Sequence, residues 1–571
     1  MNDRTARVLS RLDQLYTKSS GVLRRSLRKI RPPIQGAPIP ELSGAVPVLG
    51  HSIEFVRSTV DLLARAEREL GEVAAFHVAG RKMVALFGPE AHAAIFRAPD
   101  ILLDPSEAYS IMTPVFGDGM VYDATPEKMA EQFKMLLPAL KDARMRTYGE
   151  RVVAEVEASI ASWGDSGEVD LVTYFRTLTN FTSSHCLIGK EFRESMTGEF
   201  ASVYHDLERG VTPLAYIHAH LPIPSFRRRD RARVRLVQMI GTIIDDRRRS
   251  GRRGEDFLQT LMDAAYSDGT TLSEHEITGM LLAAMFAGHH TSSVTSAWTL
   301  IELAQHPEYL ARVMGELERV YANGREVDYA SLRDIPLTEH AVKEALRMHP
   351  PLFMLVRVAK SDFSFKGYVF PKGSWLVVSP TVAHRIGSVF ADPNRFDPDR
   401  FAAPREEDKR DFAYIPFGGG HHRCLGSAFA LLQIKAILAV LLRRYEFDLG
   451  SDPIRPDFHG LVIGPAEPCP VRYRRRVHAS THASAAPTNG ASKRSHAAEL
   501  ATLATPRRVV VDTDLCQGHA VCINEAPDVF TIGDDGKVSL ITDDPAPSSL
   551  EGVEQAITHC PTGAIRLAPG D

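Results

Sequence analysis

Cysteine is scarce in this sequence: six in 571 residues, too few for the disulfide framework of a small secreted domain. No stretch approaches the roughly 18–20 apolar residues that span a bilayer. The first thirty residues, MNDRTARVLSRLDQLYTKSSGVLRRSLRKI, lack the apolar core of a cleavable signal. They read either as an amphipathic helix lying on a membrane surface or as a solvated arm. The net charge is only −4, so there is no general basic excess and no case for a nucleic-acid partner. Neither the linker nor the tail contains an FAD, FMN or NAD(P) motif, and no internal repeat is visible.

What is present is a soluble globular composition, 44% hydrophobic and 24% charged, with an uneven charge distribution. From Arg507 onward eleven acidic residues face four basic ones, a balance of −7, and the preceding residues carry +3. Two surfaces that attract one another follow from that split.

The order along the chain is a basic arm (1–34), a large body (35–475), a linker (476–506) and a small acidic domain (507–571). The body reads as mainly α with small β elements at its edge. VAAFHVAGRKMVALFG forms a hairpin about Gly80, strand-like runs stand at 363–369 and 375–379, and helical pattern fills 127–346, broken by a charged loop near Arg247 to Glu255. Ser273 to Glu276 is a capping box opening a helix to about Gln305, where His306-Pro307 ends it. Such a helix is about 50 Å long. The Ala/Ser/Thr/His-rich linker has no apolar stripe and a reach of roughly 30 Å.

The densest motif is F-G-G-G-H-H-R-C-L-G, Phe417 to Gly426, running into the helix LGSAFALLQIKAILAVLLRRY. Glycines 418, 419 and 420 let the backbone approach a flat macrocycle. Cys424, at a helix N-terminus, is placed to act as a thiolate ligand. The pattern resembles the cysteine loop of the cytochrome P-450 superfamily, whose proximal thiolate promotes O–O cleavage at haem b. The resemblance implies the superfamily's fold and a structural triad of Glu344 and Arg347, from E-A-L-R, with Arg395 from P-N-R-F. In A-G-H-H-T-S, Ala287 to Ser292, Gly288 leaves room for oxygen, and His290 and Thr291 can relay protons.

His290 stands where most of the superfamily has an acid, a mark of sterol 14α-demethylases. Y-S-I-M-T-P-V-F-G-D-G-M-V-Y-D, Tyr109 to Asp123, resembles that family's second signature, with Met120 in place of the usual valine. The resemblance covers roughly residues 35 to 475. It implies a sterol cavity lined by Tyr109, Ile111, Phe116, Ala287 and Met354, and haem carboxylates bound by Tyr109, Arg357, His422 and Lys128. The aliphatic Ile111 leaves room for a 4,4-dimethyl sterol such as lanosterol. The implied reaction is three O2-dependent oxygenations of the 14α-methyl. A general hydroxylase of fatty acids or terpenoids, and a non-oxygenating haem sensor or isomerase, are the alternatives.

The tail reads D-L-C-Q-G-H-A-V-C and then C-P-T-G-A-I, resembling small bacterial single-cluster ferredoxins with His519 at the middle cysteine position. Cys516, Cys522 and Cys560 fit a three-iron (3Fe–4S) cluster. A 4Fe–4S cluster completed by His519 or water is the rival, and a zinc site with His519 is a further alternative. Arg423, Arg443, Arg444 and the run Arg472 to Arg476 are candidate docking cations. A separate NAD(P)H-dependent ferredoxin reductase must feed the tail, and a cytoplasmic bacterial protein is expected.

Overall fold

The structure is a computed structural model describing residues 36–476 and 507–569, apart from 137–139, 141, 196–197, 217, 459, 461, 514–515, 517–520, 534–536 and 561–563. The basic arm, most of the linker and His519 lie outside the described residues.

The body is mainly helical, with small sheets at one side. Its central helix is Glu274–Gln305, opened by the expected capping box: the Ser273 hydroxyl accepts from the Glu276 N–H, and the Glu276 carboxylate accepts from the Ser273 N–H. Pro307 starts the next helix, Pro307–Val320. The core packs around this axis, against Leu171–Leu187, Pro336–Met348 and Ser427–Arg444.

The expected hairpin is Val73–Val78 paired antiparallel with Arg81–Leu86. It continues into a five-stranded sheet in the order Val73–Val78, Arg81–Leu86, Trp375–Val378, Leu355–Ala359, Leu103–Asp104. Pairing of the last two carries the chain into the short helix Ser106–Tyr109 beside Leu355–Ala359. That register places Tyr109 at Arg357.

Two local expectations change. The run 363–369 is two strands, Phe363–Phe365 and Tyr368–Phe370, turned about Lys366 and Gly367 at positive φ. The helix Pro224–Ser250 runs through Arg247, so the charged loop begins only at Gly251, which closes the helix in the left-handed conformation. Arg247 is buried against Asp256 at 2.6 Å, and that carboxylate also caps Phe257–Asp263. The partner for the charge lay beyond the loop, so the local pattern suggested solvent where there is a buried pair.

The small domain has its own core of Val509, Cys522, Ala526, Val529, Phe530, Val538, Val553, Ala556 and Ile565. Arg507–Val511 pairs antiparallel with Ile565–Pro569, giving the expected small α+β unit.

Candidate active site

The segment before Cys424 is held from behind. The buried His384 accepts at Nε2 from the Ile415 N–H and donates from Nδ1 to the Arg347 carbonyl. Burial, with Arg347 nearby, keeps this imidazole neutral, its pKa well below the usual value. The Cys424 N–H then donates to the Phe417 carbonyl, closing the loop. Gly419 and Gly420 are required by protein rather than by an empty face: a Cβ on Gly420 would meet the Phe96 carbonyl at 1.8 Å, and one on Gly419 the Phe412 ring at 2.7 Å. Gly420 is also at φ 63, where a side chain is strained.

The Cys424 thiol is exposed, although its helix is among the most buried of the body. Burial of the surrounding protein pushes its pKa up, against the Gly426 N–H and Arg423. A metal cation at sulfur would favour the thiolate. Two residues beyond the helix start, Phe429 meets Gly288, where a Cβ would lie 3.7 Å from its ring. This packing brings Ala287 to Thr291 beside the cysteine helix. Ala287 is exposed and Gly288, His290 and Thr291 half-exposed, whereas the helix from Ser292 to Leu303 is buried.

Opposite, Arg357 is buried with the Tyr109 hydroxyl and the Val356 carbonyl as partners. Among the described residues no carboxylate lies within ion-pair distance of it. A buried guanidinium without an anion costs several kcal/mol, on the order of 3–5, unless a ligand supplies one. The residues therefore fit a haem: an accessible thiol, a buried arginine without a carboxylate partner among the described residues, and an apolar wall. Phe116 stands edge-on to Phe286, with centroids 6.0 Å apart, next to Ala287. Ile111 and Phe116 belong to the helical core, and Met354 to the sheet-side cluster against which Tyr109 packs.

Further expected residues have protein partners. Lys128 is held by Glu276 at 2.8 Å, over the Tyr266 ring, at the start of the central helix. His422 Nε2 is 2.6 Å from Asp100. Both have protein carboxylates as partners. Arg395 is exposed and gives the triad only its carbonyl, to Arg347. The third member is Arg400, fully buried and 3.0 Å from Glu344, brought inward by the turn Pro398–Phe401. Glu344 and Arg347 pair at 2.7 Å, also fully buried.

Sequence reasoning missed Glu208, which no local pattern marks. It is buried at the end of Gly198–Glu208, with Oε1 3.3 Å from His289 Nε2 and 3.8 Å from His290 Nδ1. Burial opposes its charge, but His289 and His290 win and hold the carboxyl below its usual pKa. Burial likewise lowers the His290 pKa, with Glu208 opposing. Thr179 Oγ1 lies 2.9 Å from His289 Nδ1. The Thr291 hydroxyl donates to the Ala287 carbonyl at 2.6 Å, leaving its lone pairs to the accessible side. A buried carboxylate therefore lies beside two imidazoles of the central helix, one of which, His290, is half-exposed next to Thr291.

The signature loop is fastened by its own aspartate: Asp123 accepts from the Thr113 hydroxyl and the Gly119 N–H. Arg233 donates to the carbonyls of Val115 and Phe116. Met120 packs over Gly279, where a Cβ would lie 2.8 Å from its Cγ, so the longer side chain has a matching hollow.

In the small domain Cys522 is buried and Cys516 and Cys560 pack against its cluster. Burial raises the Cys522 pKa to about 12, and the two other thiols add to the shift, so the three face one another. Cys516 and Cys560 accept backbone N–H groups of Val538 and Ala564, both at 3.3 Å. Among the described residues no three His, Cys, Asp or Glu side chains converge at single-ion spacing. Cys560 is near enough to Arg423 to act on its charge, and Glu525 is 3.8 Å from Arg333. Of the other docking cations, Arg444, Arg472, Arg474, Arg475 and Arg476 pair with carboxylates of the body, and Arg443 lies over Tyr321.

Residues 40–469 match the family model described as Cytochrome P-450, and residues 511–567 the model described as 4Fe-4S single cluster domain of Ferredoxin I. A sterol 14alpha-demethylase of Mycolicibacterium vanbaalenii is 45% identical over 446 residues, 77% of this chain and 98% of that protein. An obtusifoliol 14-alpha demethylase of Triticum aestivum is 41% identical over 447 residues, 77% of this chain and 98% of that protein. Among solved structures, a retinoic acid-bound cyanobacterial protein, CYP120A1, superposes with a TM-score of 0.70 at 22% identity. The superposition covers 77% of this chain and 100% of that one, and it shows the shared fold.

Proposed function

Because the chain belongs to the cytochrome P-450 family, among its sterol 14α-demethylases, and carries a ferredoxin domain behind the haem-thiolate body, we propose that it removes the 14α-methyl of a lanosterol-type sterol with electrons from its own tail. The observation that carries this reading is the joint presence of the Tyr109–Asp123 loop against the central helix and the Glu208–His289–His290 cluster behind Thr291. Haem bound through Cys424 would supply the activation of O2, three times in succession, each with two electrons.

The chain's residues do the rest. Arg357 and Tyr109 would anchor the haem carboxylates. Phe116, Ile111, Met354 and Ala287 present apolar surface to a flat, rigid substrate and exclude water from it. Thr291 holds a hydroxyl at the reacting face, and His290, 31% exposed, links that face to the buried Glu208. An ionised carboxylate beside two imidazoles is a proton acceptor behind His290.

In the tail, three cysteines with His519 in the remaining motif position favour a 3Fe–4S cluster over a 4Fe–4S one. Its Cys560 lies on the Arg423 side, next to the cysteine loop. A separate NAD(P)H-dependent reductase completes the chain of donors. The test is turnover of lanosterol with ferredoxin reductase and NADPH, read as formate release. A substrate-induced spectral shift with fatty acids and none with 14α-methyl sterols would sink the assignment and favour a general hydroxylase.

A further inference from the structure

The arginines of the helix Pro224–Ser250 differ in what they bind. Arg229 pairs with Asp230 and Arg235 with Glu199, both at 2.7 Å, and Arg247 with Asp256 at 2.6 Å. Arg233 is half-buried, and among the described residues no carboxylate lies within ion-pair distance of it; Asp118 acts on its charge from longer range. Its donors go to two carbonyls instead, Nε to Val115 and Nη2 to Phe116, both at 3.2 Å. A hydrogen bond from a cation is stronger than a neutral one, so a guanidinium turned from water onto main-chain oxygens is a firm grip.

The surroundings are shaped to that grip. Gly117, at φ 107, leaves the room for it: a Cβ there would collide with Arg233 Nη2 and lie 2.8 Å from the His275 ring. His275, on the central helix, donates from Nε2 to the Asp118 carbonyl at 3.1 Å. One turn further, Gly279 receives the Phe116 carbonyl, which would lie 2.6 Å from a Cβ at that position. Gly279 and Phe286 are seven residues apart and so share one face of the helix. The Phe116 ring stands edge-on to Phe286, with centroids 6.0 Å apart. The loop's backbone is therefore seated at one point of that face, and its ring meets the wall two turns on, next to Ala287.

We propose that Arg233 is a positioning residue for the substrate: by gripping the Val115 and Phe116 carbonyls it seats the signature loop on Gly279 and holds the Phe116 ring in the cavity wall. It acts through the main chain of the loop and not by touching the substrate itself. That the substrate is a sterol rests on the reading above; the grip does not.

The test compares Arg233→Met, which keeps the apolar stem and removes every donor, with Arg233→Lys, which keeps a cation, in the full-length haem protein. Two readouts are taken: amide hydrogen exchange across 113–123 and the lanosterol-induced shift of the haem spectrum. Arg233→Met should speed exchange at Gly117 and Gly119 about tenfold and weaken lanosterol binding about tenfold, the scale of a lost charged hydrogen bond. The ferrous-CO spectrum, the affinity for imidazole and the melting temperature should stay near wild type. Arg233→Lys should bring both readouts back to within about threefold of wild type. Packing by the stem alone predicts that Met and Lys behave alike. If Arg233→Met does not fold, Gly279→Ala decides: it suits a helix, leaves Arg233 in place and pushes the Phe116 carbonyl off its seat, so both readouts should move the same way. Unchanged exchange or unchanged affinity in the folded variant overturns the proposal, as does a Lys variant that recovers nothing Met loses. Should lanosterol leave the wild-type spectrum unmoved, the sterol reading fails by itself. Palmitate then serves as the probe, and the exchange comparison still decides whether Arg233 grips the loop.

Discussion

Two buried charge clusters in the same body are built to different standards. In the Glu344–Arg347–Arg400 cluster every polar atom is used. Glu344 Oε1 accepts from Arg347, Arg400 and the Asp397 N–H, and Oε2 accepts from Arg347. Arg347 spends its remaining donors on the carbonyls of His384, Pro393 and Arg395. In the Glu208–His289–His290 cluster, Glu208 Oε1 and His289 Nε2 are buried and close, yet neither makes a well-formed hydrogen bond to protein. The saturated cluster has no freedom to exchange a proton; its satisfied geometry fixes the meander under Cys424. The unsaturated one tolerates a desolvation cost that folding would otherwise remove, and it is the one that touches the accessible face of the central helix.

Removing the shared acid breaks the first cluster most severely. Glu344→Ala strands two buried guanidinium groups and costs about 3–5 kcal/mol. Expression should yield little folded protein, read as loss of the ferrous-CO spectrum and of the cooperative melt. Normal spectral yield would mean that the saturated cluster is not structural. Glu208→Gln should act the other way round. The fold should persist with a melting temperature within a few degrees of wild type, while sterol turnover falls about 100-fold, the scale of a lost proton-transfer group. The solvent deuterium isotope effect should rise with it. Unchanged turnover would remove Glu208 from the proton path.

The two clusters were also unequally legible in the sequence. Glu344 and Arg347 are three apart on one helix, and P-N-R-F and F-D-P-D-R-F offer arginines downstream, so the motif was visible through its resemblance. Its third member was misplaced because Arg395 and Arg400 stand in equally polar surroundings; only the turn Pro398–Phe401 decides which one points inward. Thr291 and His290 were readable through the resemblance of A-G-H-H-T-S, on a helix whose capping box is plain in the sequence. Glu208 was not, since it lies on another helix and meets His289 only through tertiary packing. Lys128 and His422 come from the resemblance, and their carboxylate partners, Glu276 and Asp100, lie on distant segments of the chain. Long-range pairing of charges is what a periodicity argument cannot supply.

An unsatisfied buried atom is not by itself a sign of function, and His92 sharpens the comparison because it has the first property without the second. It is 1% exposed, its Nδ1–H donates to the Phe412 carbonyl at 3.1 Å, and its Nε2 has no hydrogen-bond partner. Burial lowers its pKa from 6.5 to about 4, opposed by the hydrogen bond to that carbonyl. Between these two values the unfolded chain binds the proton and the folded one does not, so stability rises with pH across this window. The contribution is fully present above pH ~6.5 and is lost as the pH falls towards about 4, reaching about 2 kcal/mol of destabilisation at pH ~5. His92→Gln keeps a donor for Phe412 and removes the titration. Its urea midpoint should match wild type at pH 7 and exceed it at pH 5, with turnover unchanged at pH 7. A variant that instead lost turnover at pH 7 while remaining folded would place His92 with Glu208 and dissolve the distinction between a buried liability and a working group.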